Sequence, residues 1–223
     1  MTANIQEVLR RLQHEYGERA WYMRRDPVSE LVFTILTQNT SDRNAFVSYS
    51  RLVRRFPTWD AVADGDVAEI EKAIAIGGLS KTKAPRIKKV LQQIREERGG
   101  FDLSFLETLP LEEAKAWLGR LDGVGPKTVA CVLMFSFNRP AMPVDTHVYR
   151  IAQRLGLIDA KMSVERAHEA LERSVPPEQV YPLHVDLIEH GRRVCQARRP
   201  QCDLCVLSPL CPSSAVSTAP IAR

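Results

Sequence analysis

Four cysteines near one end of the sequence constrain this chain more than any other feature. Cys195, Cys202, Cys205 and Cys211 follow the spacing C-x6-C-x2-C-x5-C, and the fifth cysteine, Cys131, lies far from them. Closely spaced cysteines in an otherwise cysteine-poor chain, with no signal peptide expected at its start, are metal ligands more often than disulfides. We therefore expect this segment to fold around a metal centre.

Two metal centres suit four cysteine ligands, a tetrahedral structural zinc ion and a [4Fe–4S] cluster. Zinc ribbons and knuckles usually combine two C-x2-4-C pairs, and here only Cys202 and Cys205 form such a pair. The spacing alone favours iron–sulfur by about two to one. Zinc stays open at this point, and a disulfide pair is the remaining alternative.

Apolar residues recur with helical spacing along most of the chain. Ile5, Val8 and Leu12 would share one helix face, and similar patterns follow at 45–56 and 148–155. Proline and glycine separate these stretches, and no two alternating runs flank a hairpin signal. The sequence therefore predicts an all-α protein of ten or more short helices.

One predicted helix stands apart because it is apolar all round. The segment TVACVLMFSF at 128–137 should be buried on every side, with Cys131 as a small buried hydrophobe and not as a further metal ligand. Asp42 and Ser163 have the side chains and positions typical of helix N-caps.

The sequence LDGVGPK at 121–127 predicts a tight turn between two helices. Gly123 and Gly125 permit positive φ and leave backbone N–H groups uncovered, and Pro126 suits the first helical position. Free N–H groups at a helix N-terminus can bind a DNA backbone phosphate without reading sequence. An ordinary interhelical turn is the alternative interpretation.

Lys127 and Asp145 are the candidate catalytic residues. Lys127 would lie in the first turn of a helix, where the macrodipole disfavours a positive charge, and partial burial would suit an amine nucleophile. A solvated lysine is the ordinary alternative. Asp145, in PVDTH at 143–147, suits the N-cap of the next helix, and capping would also fix its carboxylate in position.

Charge distribution says more about partners than net charge does. The formal net charge of +4 is only mildly basic, which makes it weak support for nucleic-acid binding. A first basic cluster surrounds Cys195 and comprises Arg192, Arg193, Arg198 and Arg199. A second cluster, which is more typical of solvated helix faces, comprises Lys81, Lys83, Arg86, Lys88 and Lys89.

Taken together, these motifs resemble the helix-hairpin-helix DNA glycosylases of the endonuclease III family. The resemblance rests on LDGVGPKTVACVL (121–133), PVDTHVYRIAQRLGL (143–157) and HGRRVCQARRPQCDLCVLSPLC (190–211), and more diffusely on ILTQNTSD (35–42). It extends from about Val28 to Cys211. The hairpin, lysine, aspartate and four cysteines occur in the family's order, and the resemblance implies a [4Fe–4S] cofactor.

The resemblance implies a bifunctional DNA glycosylase/AP lyase of base excision repair that excises damaged, most of all oxidised, pyrimidines. Lys127 would attack C1′ of the sugar and form a Schiff base, Asp145 would stabilise positive charge or accept a proton, and β-elimination would nick the strand. The cluster ligands implied are Cys195, Cys202, Cys205 and Cys211. The DNA-binding residues implied are Gln38, Leu79, Gly123, Val124, Gly125, His147, Arg198 and Arg199.

The family architecture implies two domains. Residues 27–139 would form a six-helix barrel with the hairpin, residues 1–26 and 140–212 a discontinuous iron–sulfur domain, and residues 213–223 a flexible tail. The expected partner is double-stranded DNA with damaged bases or abasic sites, with no membrane. We expect a monomer in the cytoplasm, associated with the bacterial nucleoid.

Three positions depart from the family pattern. Gly77 stands where relatives often carry an apolar wedge, and Asp122 and Pro126 replace a proline and a basic residue of the hairpin. The region 77–90 is also similar to longer relatives that remove modified cytosines.

Competing interpretations remain at this point. A different lesion choice within the fold, such as uracil, mismatched thymine or adenine, is one. The adenine enzymes are disfavoured because they lack the hairpin lysine and need a carboxylate that the sequence lacks between Glu30 and Asp42. A non-catalytic iron–sulfur DNA-binding module and a zinc-ribbon protein are the others.

Overall fold

The computed structural model describes residues 3–214, and within them the chain is helical and contains no β-strand. The predicted all-α class is confirmed. The chain divides into two compact units, which we call the contiguous unit (Met23–Arg139) and the split unit (the described residues up to Tyr22 and from Pro140 onward). None of the described helices is long and apolar enough to span a bilayer.

The contiguous unit contains seven α-helices. They are α2 (Pro27–Thr37), α3 (Asp42–Arg55), α4 (Trp59–Asp64), α5 (Val67–Ile74), α6 (Ser80–Arg98), α7 (Leu111–Gly119) and α8 (Pro126–Phe137). The core is built around α2 and α8, which pack against each other. Every residue from Thr128 to Ser136 is buried, as predicted for α8, whereas Phe137, which the prediction included, is half-buried. Helix α2 is equally buried from Val28 to Leu36.

Local capping signals explain where these helices begin. Asp26 accepts a hydrogen bond from the Ser29 backbone N–H at the start of α2, and Pro27 occupies the first helical position. At α3 the N-cap is Ser41, whose hydroxyl accepts from Asn44 N. The predicted cap Asp42 is therefore one residue too late, because Ser41 has the extended backbone of an N-cap (φ −78°, ψ 152°) and Asp42 is already the first helical residue.

The split unit contains four α-helices. They are α1 (Ile5–Tyr16), α9 (Thr146–Leu155), α10 (Val164–Ser174) and α11 (Val180–Arg193). Ser163 caps α10 as predicted. Of the predicted flexible tail, residues 215–223 lie outside the described residues, whereas Ser214 is buried and its hydroxyl bonds that of Ser208 at 2.6 Å.

Candidate functional site

The predicted hairpin forms between α7 and α8. Gly123 adopts φ 70°, whereas Gly125 is an extended N-cap with φ −89°, so only one of the two glycines uses positive φ. Val124 between them is buried, and Pro126 is the first residue of α8. Within residues 3–214 the backbone N–H groups of Gly123 and Gly125 donate to no protein acceptor. This turn therefore offers unsatisfied donors beside the positive end of a buried helix.

Lys127 lies in the first turn of α8 and is half-buried. No carboxylate of the contiguous unit pairs with its ammonium group. The neighbouring Thr128 is buried, which anchors this turn in the core. Among the described residues Lys127 therefore has no ion-pair partner, and its amine is carried in the first turn of α8.

Helix α6 supports the hairpin from one side. A Cβ at Gly123 would lie 2.3 Å from Nε of Arg86, so the arginine packs directly on the glycine. Lys89, one turn further along α6, pairs with Asp122 at 3.3 Å. Asp122, one of the departures from the family pattern, therefore ties the hairpin to α6.

Arg86 also contacts the end of α2. Its Nη1 donates to Oε1 of Gln38 at 3.1 Å, and Gln38 is the half-buried C-cap of α2. Arg86 was predicted to be part of a solvated helix face. It instead links two of the predicted DNA-binding positions, Gln38 and Gly123.

Lys83 contradicts the prediction of a solvated helix face more strongly. Its side chain is 2% exposed, and its Nζ donates to the carbonyl oxygens of Leu36 at 2.9 Å and Gly77 at 3.0 Å. Burial lowers the pKa of the Lys83 ammonium group. Lys83 thereby joins the chain just before Gln38 to the chain just before Leu79.

Leu79 projects from the start of α6 in an unusual backbone conformation. It has φ 52° and is 53% exposed, although it is a large apolar residue. Core packing, the ordinary explanation for an apolar residue, is therefore wrong for Leu79. Gly77, in contrast, is buried, and a Cβ there would lie 2.6 Å from the Ser48 hydroxyl, so this position carries no projecting side chain.

In the split unit Asp145 caps α9. One carboxylate oxygen, Oδ1, accepts from the backbone N–H groups of His147 and Val148, both at 2.8 Å. The cap fixes the carboxylate while Asp145 stays half-buried. His147 is also half-buried, and its Nδ1 lies 3.1 Å from Nη2 of Arg150.

The four predicted cysteine ligands line one pocket in the split unit. Burial raises the pKa of the Cys205 thiol to about 11 and also raises the pKa of the Cys211 thiol, with smaller contributions from the neighbouring cysteines. Four bare thiolates would repel one another here, so a cationic group is needed to hold them deprotonated. Among residues 3–214, no group of three or more histidine, cysteine or carboxylate side chains is arranged to hold a metal ion directly.

Residues outside the cysteine motif shape this pocket. Arg154 of α9 donates to Sγ of Cys195 at 3.2 Å and to the carbonyl oxygens of Gln196 and Ala197, both at 2.9 Å. Nε2 of the buried His190 lies 3.4 Å from Sγ of Cys205. Arg154 therefore holds the loop in which Arg198 and Arg199 are exposed.

Sequence reasoning missed Lys83 and Arg86 as organising residues, and also Arg154 and His190. Only Arg154 could have been found from the sequence. It lies one helical turn after Arg150 on the same face of α9, so both arginines face the same neighbouring segment. The other contacts depend on which helix face packs inward.

The comparisons with known proteins agree with these motifs. The family described as "HhH-GPD superfamily base excision DNA repair protein" matches residues 32–177. The chain therefore belongs to this superfamily. An endonuclease III from Thermotoga maritima is 31% identical over 205 residues, which are 92% of this chain and 89% of that relative. The resemblance to endonuclease III is confirmed.

A further relative and a solved structure show how much of the chain is matched. A relative from Arabidopsis thaliana is 40% identical over 162 residues, which are 73% of this chain and 55% of that protein. The solved structure of a trapped endonuclease III–DNA covalent intermediate superposes with a TM-score of 0.83 at 27% identity, covering 96% of this chain and 97% of the other. The fold is thus shared over nearly the whole chain.

Proposed function

We propose that this protein is a bifunctional DNA glycosylase/AP lyase of base excision repair, acting on duplex DNA with damaged bases or abasic sites. One observation carries the proposal, namely the amine of Lys127 in the first turn of α8, directly after the hairpin turn, where no described carboxylate pairs with it. A protein that only binds DNA uses the hairpin but needs no amine there. The likeness of this chain to endonuclease III favours oxidised pyrimidines as the excised bases.

Binding would begin with the hairpin, whose free N–H groups suit a backbone phosphate. Extrusion of a base costs a few kcal/mol, and least for a damaged base that stacks poorly. Gln38 and Leu79 are suited to enter the space that the base leaves, because Gln38 ends α2 and Leu79 is exposed. Both lie on chain segments that Lys83 joins.

Chemistry would follow at the exposed sugar. The ammonium group of Lys127 first gives up a proton to solvent. The lone pair of its Nζ then forms a bond to C1′ while the glycosidic bond breaks, and the electron pair of that bond leaves with the base, which takes up a proton. Opening of the sugar ring gives a Schiff base, and loss of a C2′ proton then expels the 3′ phosphate. Asp145, whose carboxylate is fixed by capping α9, would stabilise the positive charge that develops at the sugar.

We further propose that Cys195, Cys202, Cys205 and Cys211 hold a [4Fe–4S] cluster. The donor set fits because four thiols line one pocket, and a [4Fe–4S] cluster takes one cysteine thiolate at each of its four irons. The cluster would supply a structural cross-link between the end of α11 and the loop that follows it. That loop presents Arg198 and Arg199 to phosphates.

Borohydride trapping tests the catalytic role. Wild-type protein incubated with abasic-site duplex and borohydride should become covalently attached to the DNA, and Lys127→Ala should abolish attachment. Lys81→Ala is the matched control, because Lys81 is an exposed lysine of the same unit and should leave trapping intact. Wild-type protein that binds the duplex without trapping would establish a non-catalytic binding module instead.

A panel of duplexes tests the lesion choice. We expect base release from thymine glycol to exceed release from uracil, mismatched thymine and 8-oxoguanine. A preference for any of the last three would overturn the assignment to oxidised pyrimidines while leaving the trapping result unaffected. Iron and sulfide analysis of the purified protein should give about four of each per chain, and stoichiometric zinc would contradict the cluster.

A further inference from the structure

Arg86 occupies the position between the end of α2 and the hairpin. Its Nη1 donates to Oε1 of Gln38 at 3.1 Å. Its Cδ and Nε cover Gly123, where a Cβ would lie 2.6 Å and 2.3 Å from those atoms. A side chain at position 123 would therefore displace the arginine from Gln38.

The chemistry of the pair fixes the orientation of the Gln38 amide. A guanidinium group has only donors, so the amide must turn its oxygen toward Arg86. Within residues 3–214 the Gln38 amino group donates to no protein acceptor, so its two N–H donors stay available. An isolated glutamine could rotate its amide and present either group.

We infer that Arg86 is a positioning residue that acts through Gln38 during base extrusion. It holds the amide so that Gln38 presents N–H donors to the acceptor atoms of the base left without a partner on the opposite strand. The inference deepens the proposed function and rests on it, because it requires Gln38 to enter the duplex. Gly123 has a second role in it, since the absence of a side chain leaves room for the guanidinium.

A different role for Arg86 would be a direct contact with a DNA phosphate. In that case its contribution would be independent of Gln38 and would weaken with rising salt. The two roles are distinguished by a double-mutant cycle, which measures whether two residues act together.

The experiment compares wild type, Arg86→Met, Gln38→Ala and the double variant by single-turnover base release from the best duplex of the lesion panel. We expect each single variant to lose about tenfold, and the double variant to match Gln38→Ala within about twofold, because Arg86 has nothing to orient once Gln38 is absent. Lys81→Met is the control, because it removes an exposed charge of the same helix. Its effect on the rate of base release should be the same in the wild type and in the Gln38→Ala background.

Further readouts keep the outcome decisive. Arg86→Met should keep borohydride trapping, since Lys127 stays in place, and Arg86→Lys should regain part of the rate because it keeps a donor. Any one of three results would overturn this inference and leave the proposed function standing. They are a loss of about a hundredfold in the double variant, full activity of Gln38→Ala, and lost trapping in Arg86→Met. A wild type that neither releases bases nor traps would overturn the proposed function, and this inference with it.

Discussion

Lys83→Met removes a buried charge while keeping most of the apolar side chain. In the native protein the ammonium group donates to the carbonyl oxygens of Leu36 and Gly77, and the side chain is 2% exposed. Methionine fills similar space but donates nothing, so both carbonyl groups lose a partner.

The expected magnitude follows from these contacts. Each buried polar group left unsatisfied costs about 1–3 kcal/mol, and relief from burying an ammonium group offsets part of the sum. We expect Lys83→Met to lower the free energy of unfolding by about 2–4 kcal/mol, or the melting temperature by about 5–15 °C for a chain of this size. Urea unfolding followed by far-UV circular dichroism measures it. The exposed Lys81→Met should stay within about 0.5 kcal/mol of wild type.

The pH dependence of this difference provides a second check. Burial lowers the pKa of Lys83 below its ordinary value of 10.5, so the unfolded chain binds more protons than the native protein between the lowered pKa and 10.5. The contribution of Lys83 to the free energy of unfolding therefore rises with pH across that window. The stability difference between the wild type and Lys83→Met should grow accordingly. Equal unfolding midpoints for wild type and Lys83→Met would refute the anchoring role, and an advantage that shrinks with rising pH would refute the direction of the pKa shift.

Three other predictions follow from single contacts. Leu79→Gly relieves a left-handed conformation that costs a non-glycine residue about 1–2 kcal/mol. Thermal melting should therefore show no loss of stability, while base release falls about tenfold. A clear destabilisation would contradict this prediction. Asp145→Asn keeps an amide oxygen for capping, so the unfolding free energy should change by less than about 0.5 kcal/mol, while single-turnover base release falls about a hundredfold because the charge is lost; a stability loss at unchanged rate would show that capping is its only role. Cys211→Ser should lower iron content and visible absorption, whereas Cys131→Ser should keep both, because Cys131 is buried in α8 and is not one of the residues that line the pocket. Equal absorption in the two variants would argue against the assigned ligands.

Local signals made much of the fold predictable. The all-round apolar character of α8, the proline at its first position and the cap at Asp145 each depend on residues within one helical turn. The cysteine spacing likewise specified the pocket, because ligands close in sequence are close in space. Such features need no knowledge of tertiary packing.

Contacts over long sequence separation escaped prediction. The segment 80–98 carries charges on most faces, so the sequence gives no indication that Lys83 lies inward while Lys81 is exposed. Arg86 reaches Gln38 across 48 positions, and Arg154 reaches the loop after Cys195 across more than 40. Each outcome was decided by the packing of neighbouring helices, which periodicity alone does not encode.

The split unit draws on both ends of the described chain, which sets an order of events during synthesis. Helix α1 buries Val8, Leu9 and Leu12 and packs against α11, which emerges only after the whole of Met23–Arg139 has been made. At ordinary elongation rates the interval between the synthesis of α1 and the completion of α11 is on the order of 10 to 40 s. The contiguous unit can fold on the ribosome meanwhile, while α1 remains an amphipathic helix without its native partner. Nascent α1 is thus the segment that we expect chaperones to hold until translation of α11 is complete.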